Sequence, residues 1–170
     1  GVLIRDLKDP SSGKDMKIDL AFQGPEALNV LLVSINKEYL RQLKCLEKAK
    51  FMKARLKGIE VIIARTGYTG EPIGFEIFVH PDNAVSVWRD LLEHGEKYGV
   101  KPAGLGARDS TRTEAGFPLY GHEIEGPLGV FPMENGYAQF LKLHKPYFIG
   151  RHKALKMAEG VKMDIARFRM

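Results

Sequence analysis

The stretch from position 51 to position 81, FMKARLKGIEVIIARTGYTGEPIGFEIFVHP, constrains the fold more than any other part of the chain. FMKARL and IEVIIAR read as two strands around Lys57-Gly58, and GFEIFVH reads as a third after a Gly-studded turn. An earlier alternating run, KIDLAFQ, places Ile18, Leu20 and Phe22 on one strand face and is stopped by Gly24-Pro25. Helices are expected in EALNVLLVSI after Pro25 and in NKEYLRQLKCLEKAK, where Leu40, Leu43 and Leu46 recur every three residues. Another helix opens at Pro81-Asp82 with Ala84, Trp88, Leu91 and Leu92 on one face and ends at Gly99. A shorter one runs from about Ala107 to Ala115 and stops at Gly116 and Pro118. Beyond it YAQFLKLH looks extended, GRHKALKMAE helical and KMDIARF extended. The helices are too few and too late for a doubly wound parallel sheet, so the fold class is α+β: an antiparallel sheet with packed helices.

A chain of 170 residues with 44% hydrophobic content suits one globular domain with a possible appendage. The net charge is +5, but Lys and Arg are interleaved with acids, which suits an anionic ligand or an acidic partner surface and demands neither nucleic acid nor membrane. A single cysteine, Cys45, excludes an internal disulfide framework, and no Cys/His cluster has zinc spacing, so no metal is expected. Cys45 lies off the leucine stripe and reads as a packing residue. No apolar run approaches the roughly 20 residues that span a bilayer, and the N-terminus lacks the order of a signal peptide. The chain reads as soluble, in the cytoplasm or an equivalent reducing compartment such as the mitochondrial matrix. It starts without Met and is expected to be a piece of something longer.

Chemistry is suggested at three places. In GFEIFVH the alternation puts Phe75, Ile77 and Val79 on one face and Glu76 with Phe78 on the other, where a carboxylate is either solvated or paired. Arg108 opens a helix whose dipole disfavours a cation there, and Arg112 follows one turn later on the same side. Two such arginines suit the carboxylate of Glu76, that of a ligand, or a solvated basic face. TGYTGE lifts Tyr68 onto a turn between Gly67 and Gly70, where an aromatic ring can stack on a flat ligand or cover the edge of the core. GLGARD and TGYTGE lack the spacings of a dinucleotide fingerprint or a P-loop, and the five histidines are scattered.

ARTGYTGEPIGFEI and GLGARDSTRTEAGFPLYGHEI together resemble the two signature stretches of the glycine cleavage system T-protein family, the tetrahydrofolate-dependent aminomethyltransferases. DLAFQGPEAL upstream and PMENGYAQFLKLHKPYFIGRHKAL downstream extend the likeness over nearly the whole chain. The resemblance implies a folate-binding α+β domain with ferredoxin-like βαββαβ elements over 1–125, and a segment 126–170, extended and then helical, that completes or leaves it. It implies that Glu76 accepts the N–H groups of a pterin edge, that Arg108 contacts the folate, and that Tyr68 lies near its flat part. Arg112 and Tyr137, the latter where the family usually has Trp, are candidate pocket-lining residues. The cofactor implied is tetrahydrofolate, and the donor partner is the lipoyl-bearing H-protein, whose aminomethyl group is transferred with release of ammonia. The alternatives are another one-carbon donor, as in a folate-dependent demethylase or the folate domain of a dimethylglycine or sarcosine dehydrogenase, and a non-catalytic folate-binding module. The family's catalytic Asp maps to no position here, and the family's C-terminal β-barrel is not expected in these residues. EPIGFE has one residue more than is common in the family, and Thr111 and Thr113 replace two leucines of its helix.

Overall fold

A computed structural model describes residues 1–125, 129–161 and 165–166. They fall into two compact units, Gly1–Thr111 and Arg112–Met170, a division by packing that differs in kind from the stretches 1–125 and 126–170 expected above.

The first unit is built on the antiparallel sheet that the sequence pattern predicts. Strands β1 (Ile18–Gln23), β2 (Phe51–Leu56), β3 (Ile59–Ala64) and β4 (Gly74–Val79) lie in the order β1-β4-β3-β2, every neighbouring pair antiparallel. β2 and β3 join through Lys57 and Gly58, both at positive φ (46° and 84°), as a two-residue turn matching the strand twist requires. β4 is internal, paired with β1 on one side and β3 on the other.

Helices α1 (Ala27–Ser34) and α3 (Pro81–Gly95) pack on each other, α1 against β4 and α3 against β1. They bury the sheet face carrying Phe75, Ile77 and Val79 from β4 and Val61 and Ile63 from β3, under Val30, Leu31, Val87 and Leu91. Each such side chain contributes about 1.5–3 kcal/mol by leaving water. The inward stripe of α3 runs Ala84, Val87, Leu91, so Val87 takes the place expected for Trp88, which lies at the border, 39% exposed. Pro81 occupies the first turn of α3, and His80 Nδ1 accepts the N–H of Asp82.

The elements run βααβββα rather than βαββαβ, because Gly67, Gly70 and Pro72 keep the β3–β4 connection out of helix. The second expected helix shrinks to a 3-10 turn, Lys37–Tyr39, and α2, Leu40–Lys44. Cys45 ends it and is exposed rather than packed, while Leu43 and Leu46 turn inward. Helix α4 (Leu105–Glu114) forms where expected and is followed by Gly116 at φ 73°.

In the second unit YAQFLKLH is not extended. Ala138–Phe140 make a 3-10 turn, stabilised by Tyr137 and Phe140 rings meeting edge to face with centroids 5.3 Å apart. Helix α5 spans Arg151–Ala158 as the pattern predicts. Most of KMDIARF lies outside the described residues. Among the described residues, no helix is long and apolar enough to cross a membrane.

Candidate functional site

The sheet face opposite the helices holds the candidate site. Glu76 stands there on β4, directly opposite Ala21 of β1 and Ala64 of β3, and Ala64 in turn opposes the exposed ring of Phe51 on β2. The row therefore reads Ala-Glu-Ala-Phe across four strands spaced about 4.8 Å apart. Two methyl groups flank the one carboxylate of this row, while Asp19 and Gln23 of β1 stand one diagonal step from it on the same face. Phe78 continues the face along β4, beside Ile62, with Asp19 opposite it.

Glu76 is half-buried and, among the described residues, makes no side-chain hydrogen bond or ion pair. The expected partner, Arg108, is absent from its surroundings; the charge near it is Asp19, one diagonal step away on the same face. Burial first, and then the repulsion of Asp19, push the Glu76 carboxyl above its ordinary range. Asp19 is pushed up as well, by burial, against the pull of Lys8. The Glu76 carboxylate thus has open acceptor positions and an unfavourable charged state, a combination that a donor-rich ligand relieves.

The upward shift has a stability consequence. A carboxyl whose pKa is raised on folding favours the fold when protonated, and this contribution disappears as the pH rises through the folded-state pKa. Glu76→Gln is accordingly expected to raise the melting temperature at pH 7 by about 1–2 °C, a small figure because solvent screens a half-exposed group. The gain should vanish by about pH 4, where the glutamate is itself neutral. Circular dichroism melts at both pH values check this; a lower melting temperature for the variant at pH 7 would contradict it.

Tyr68 sits half-buried in the turn between β3 and β4. Gly70 in that turn has φ 86°, as glycine permits. Gly67 and Gly74 leave room for the end of the Gln23 side chain: a Cβ on the first would lie 1.8 Å from Gln23 Oε1 and one on the second 2.1 Å from it, so either would push the amide aside. The Gln23 amide fills the room these two glycines leave, donating to the carbonyls of Thr66 (3.2 Å) and Phe75 (3.0 Å).

Arg108 and Arg112 do not act as a pair. Arg108 is exposed near the start of α4 and, among the described residues, has no side-chain partner. Arg112 is 2% exposed; its Nη1 donates to Glu123 Oε2 (2.6 Å) and to the Phe117 carbonyl (3.2 Å). Burial opposes ionisation of Glu123, yet the N–H of Leu119 (2.9 Å) and the Arg112 guanidinium outweigh it and hold the carboxyl below its ordinary range. A cleft of about 240 Å³ lies beside this pair, lined also by Phe117 and Asn135. Arg112 is therefore a structural anchor of its own unit, and Tyr137 in the same unit packs on Phe140. Among the described residues no group of three or more His, Cys, Asp or Glu is placed to hold a metal.

The family model described as the GCVT N-terminal domain matches residues 10–145, most of the chain and all of the sheet. The chain belongs to this family. Among its relatives, the aminomethyltransferase of Caldanaerobacter subterraneus subsp. tengcongensis is 43% identical over 157 residues, covering 92% of this chain and 40% of the relative. That of Thermoanaerobacter sp. (strain X514) is 42% identical over 161 residues, covering 92% and 41%. That of Halothermothrix orenii is 42% identical over 154 residues, covering 89% and 41%. The chain spans about two fifths of the length of the curated relatives it matches.

Within this GCVT domain the sequence pattern and the resemblance single out Glu76, Tyr68, Arg108, Arg112 and Tyr137 as candidates but do not indicate what surrounds Glu76. Ala21 and Ala64 flank Glu76 only through the register, which pairs it with positions 55 and 12 residues earlier in the chain. Gln23 had a readable signal: a polar residue ending an apolar strand, with two glycines in the later motif.

Proposed function

We propose that the protein binds tetrahydrofolate on the open sheet face and serves as the glycine cleavage aminomethyltransferase. The observation that supports this reading is the Glu76 carboxylate, unpaired among the described residues and flanked directly by two alanines on the open sheet face. A pterin offers two adjacent N–H donors along one edge of a flat ring. An ionised carboxylate accepts both in a charge-assisted pair, and alanines on either side let a flat ring approach. Donation to Glu76 stabilises its charged form and offsets the burial and the Asp19 repulsion that oppose it.

Tyr68 supplies an aromatic surface for the flat part of the ligand, and Arg108, a guanidinium without a side-chain partner among the described residues, suits the carboxylates of the folate tail. Arg112 acts indirectly, by fixing its own segment. The role of Tyr137 as a lining residue rests on the family resemblance. In the reaction proposed, the methylene carbon of an aminomethylated dihydrolipoyl arm on the H-protein leaves both its nitrogen and its sulfur. It forms two bonds to folate nitrogens, giving the 5,10-methylene form, ammonia and the free thiol. Holding the folate nitrogens against that carbon is the main contribution of these residues. The reading implies a compartment shared with the H-protein, the cytoplasm or an equivalent reducing one such as the mitochondrial matrix.

The test uses the full-length protein in two measurements: calorimetric titration with tetrahydrofolate, and ammonia release on adding aminomethylated H-protein with tetrahydrofolate. Binding together with ammonia release supports the reading. Binding without release assigns a different one-carbon donor or a binding module, and absence of binding overturns the folate site.

A further inference from the structure

We infer that Gln23 is the positioning residue that fixes the Tyr68 turn and the start of β4 in front of Glu76. Its functional consequence rests on the folate reading above; its structural part does not.

Gln23 ends β1 and lies opposite Gly74, two residues before Glu76. From there its amide spans three pieces of chain. Nε2 donates to the carbonyl of Phe75 within β4 (3.0 Å) and to that of Thr66 just after β3 (3.2 Å), while Oε1 accepts the hydroxyl of Thr69 (3.4 Å). Thr66 and Thr69 bracket Tyr68, so one side chain holds the turn on both sides of the aromatic. The Thr69 hydroxyl also accepts the N–H of Glu71 (3.3 Å), and the N–H of Gly24 donates to Ile73 (3.0 Å), tying the turn's far end to the residue after Gln23.

The chemistry of the amide is specific. Two donors meet two carbonyls and one acceptor meets one hydroxyl, which neither a carboxylate nor an apolar side chain can reproduce. Glutamate would set an oxygen against two carbonyl oxygens; alanine would leave those carbonyls and the hydroxyl without this partner. The space is equally specific, since a Cβ at Gly67 or Gly74 would lie within 2.1 Å of Gln23 Oε1. Two glycines of the motif are thereby accounted for by a protein side chain rather than by close approach of a ligand. Gln23 stands on the same open face as Glu76, one diagonal step away on β1, with its amide turned to the Tyr68 turn; the double variant below separates action through Tyr68 from a direct contact with the ligand.

The test compares wild type, Gln23→Ala, Gln23→Glu, Tyr68→Ala and the Gln23→Ala/Tyr68→Ala double variant, all in the full-length protein. Hydrogen exchange is measured at the amides of 67–73 and of α1, and tetrahydrofolate affinity by calorimetry. Both Gln23 variants should speed exchange in the turn while α1 stays protected, and should weaken affinity about tenfold. In the Tyr68→Ala background the same Gln23 substitution should change affinity less than about twofold, because the residue it acts through is gone. Gly67→Ala, whose methyl group would displace the amide, should behave as Gln23→Ala does. Unchanged turn exchange in both Gln23 variants overturns the inference, as do affinity losses that multiply in the double variant. If wild type binds no tetrahydrofolate, the folate reading fails while turn exchange still decides the role of Gln23.

Discussion

Glu76→Ala is expected to weaken tetrahydrofolate binding by about a hundredfold while leaving the fold as stable as before. Hydrogen bonds to an ionised acceptor contribute about 1.5–3 kcal/mol each, and losing two of them in a partly desolvated site amounts to about 3 kcal/mol. The structural side of the expectation follows from the row Ala21, Glu76, Ala64: alanine at its centre matches its neighbours, opens no cavity in the helix-covered core and orphans no partner. Removal of a carboxylate that burial and Asp19 disfavour should, if anything, stabilise the unliganded protein. Titration calorimetry and thermal melts on the two proteins separate these effects. Equal affinities, or a loss of affinity matched by a large loss of stability, would remove Glu76 from the role of ligand acceptor. The pH dependence supplies a second readout. Because the Glu76 pKa is raised, affinity should begin to fall, as the pH is lowered, at a higher pH than an ordinary glutamate would give.

Arg112→Ala is expected to destabilise the Arg112–Met170 unit by about 1–3 kcal/mol, the usual effect of removing a buried charged donor from its acceptors, with Glu123 itself partly open to water. The guanidinium is almost fully buried, and its loss leaves the Glu123 carboxylate and the Phe117 carbonyl without this donor. Glu123 keeps the N–H of Leu119, so Glu123→Gln should cost less than the arginine substitution. The lowered pKa of Glu123 fixes the sign of the pH effect. Its contribution is present above the unfolded-state value and is lost as the pH falls through the folded-state value, so this unit should loosen in acid. Hydrogen exchange at residues 117–135 of the variant, with urea unfolding, measures both. Wild-type exchange and unfolding in Arg112→Ala would show that the pair is not an anchor. Replacing both partners together, Arg112→Met with Glu123→Leu, should recover much of the loss, since no charge is then left buried.

What the sequence made legible divides along physical lines. Strands β1 to β4, α1, α3 and α5 were readable because their apolar periodicity coincides with their packing. Failures occurred where local pattern was overruled: α2 is cut short although its leucines recur at helical spacing, and Tyr137 and Phe140 close a turn in a run that reads as extended. The Glu76 face was predicted from alternation, but the identity of its neighbours depends on register, which one strand's pattern does not specify. Pairing of Glu76 with arginine was the natural guess for a half-buried acid. The sheet instead sets a second acid, Asp19, near it, and Arg112 finds its carboxylate in Glu123. Electrostatic partners separated by tens of residues are the part of a site that periodicity does not encode.

The placement of Glu76 on an internal strand also bears on how the chain finds its structure. In β4, side chains alternate strictly between the apolar interior and the open face, with Phe75, Ile77 and Val79 almost wholly buried. A slip of one residue against β1 or β3 would drive the carboxylate into the interior and expose three large apolar groups, an error of many kcal/mol. The acid assigned to ligand recognition therefore also works as a folding checkpoint, penalising every odd-numbered misalignment of the sheet before any ligand is present.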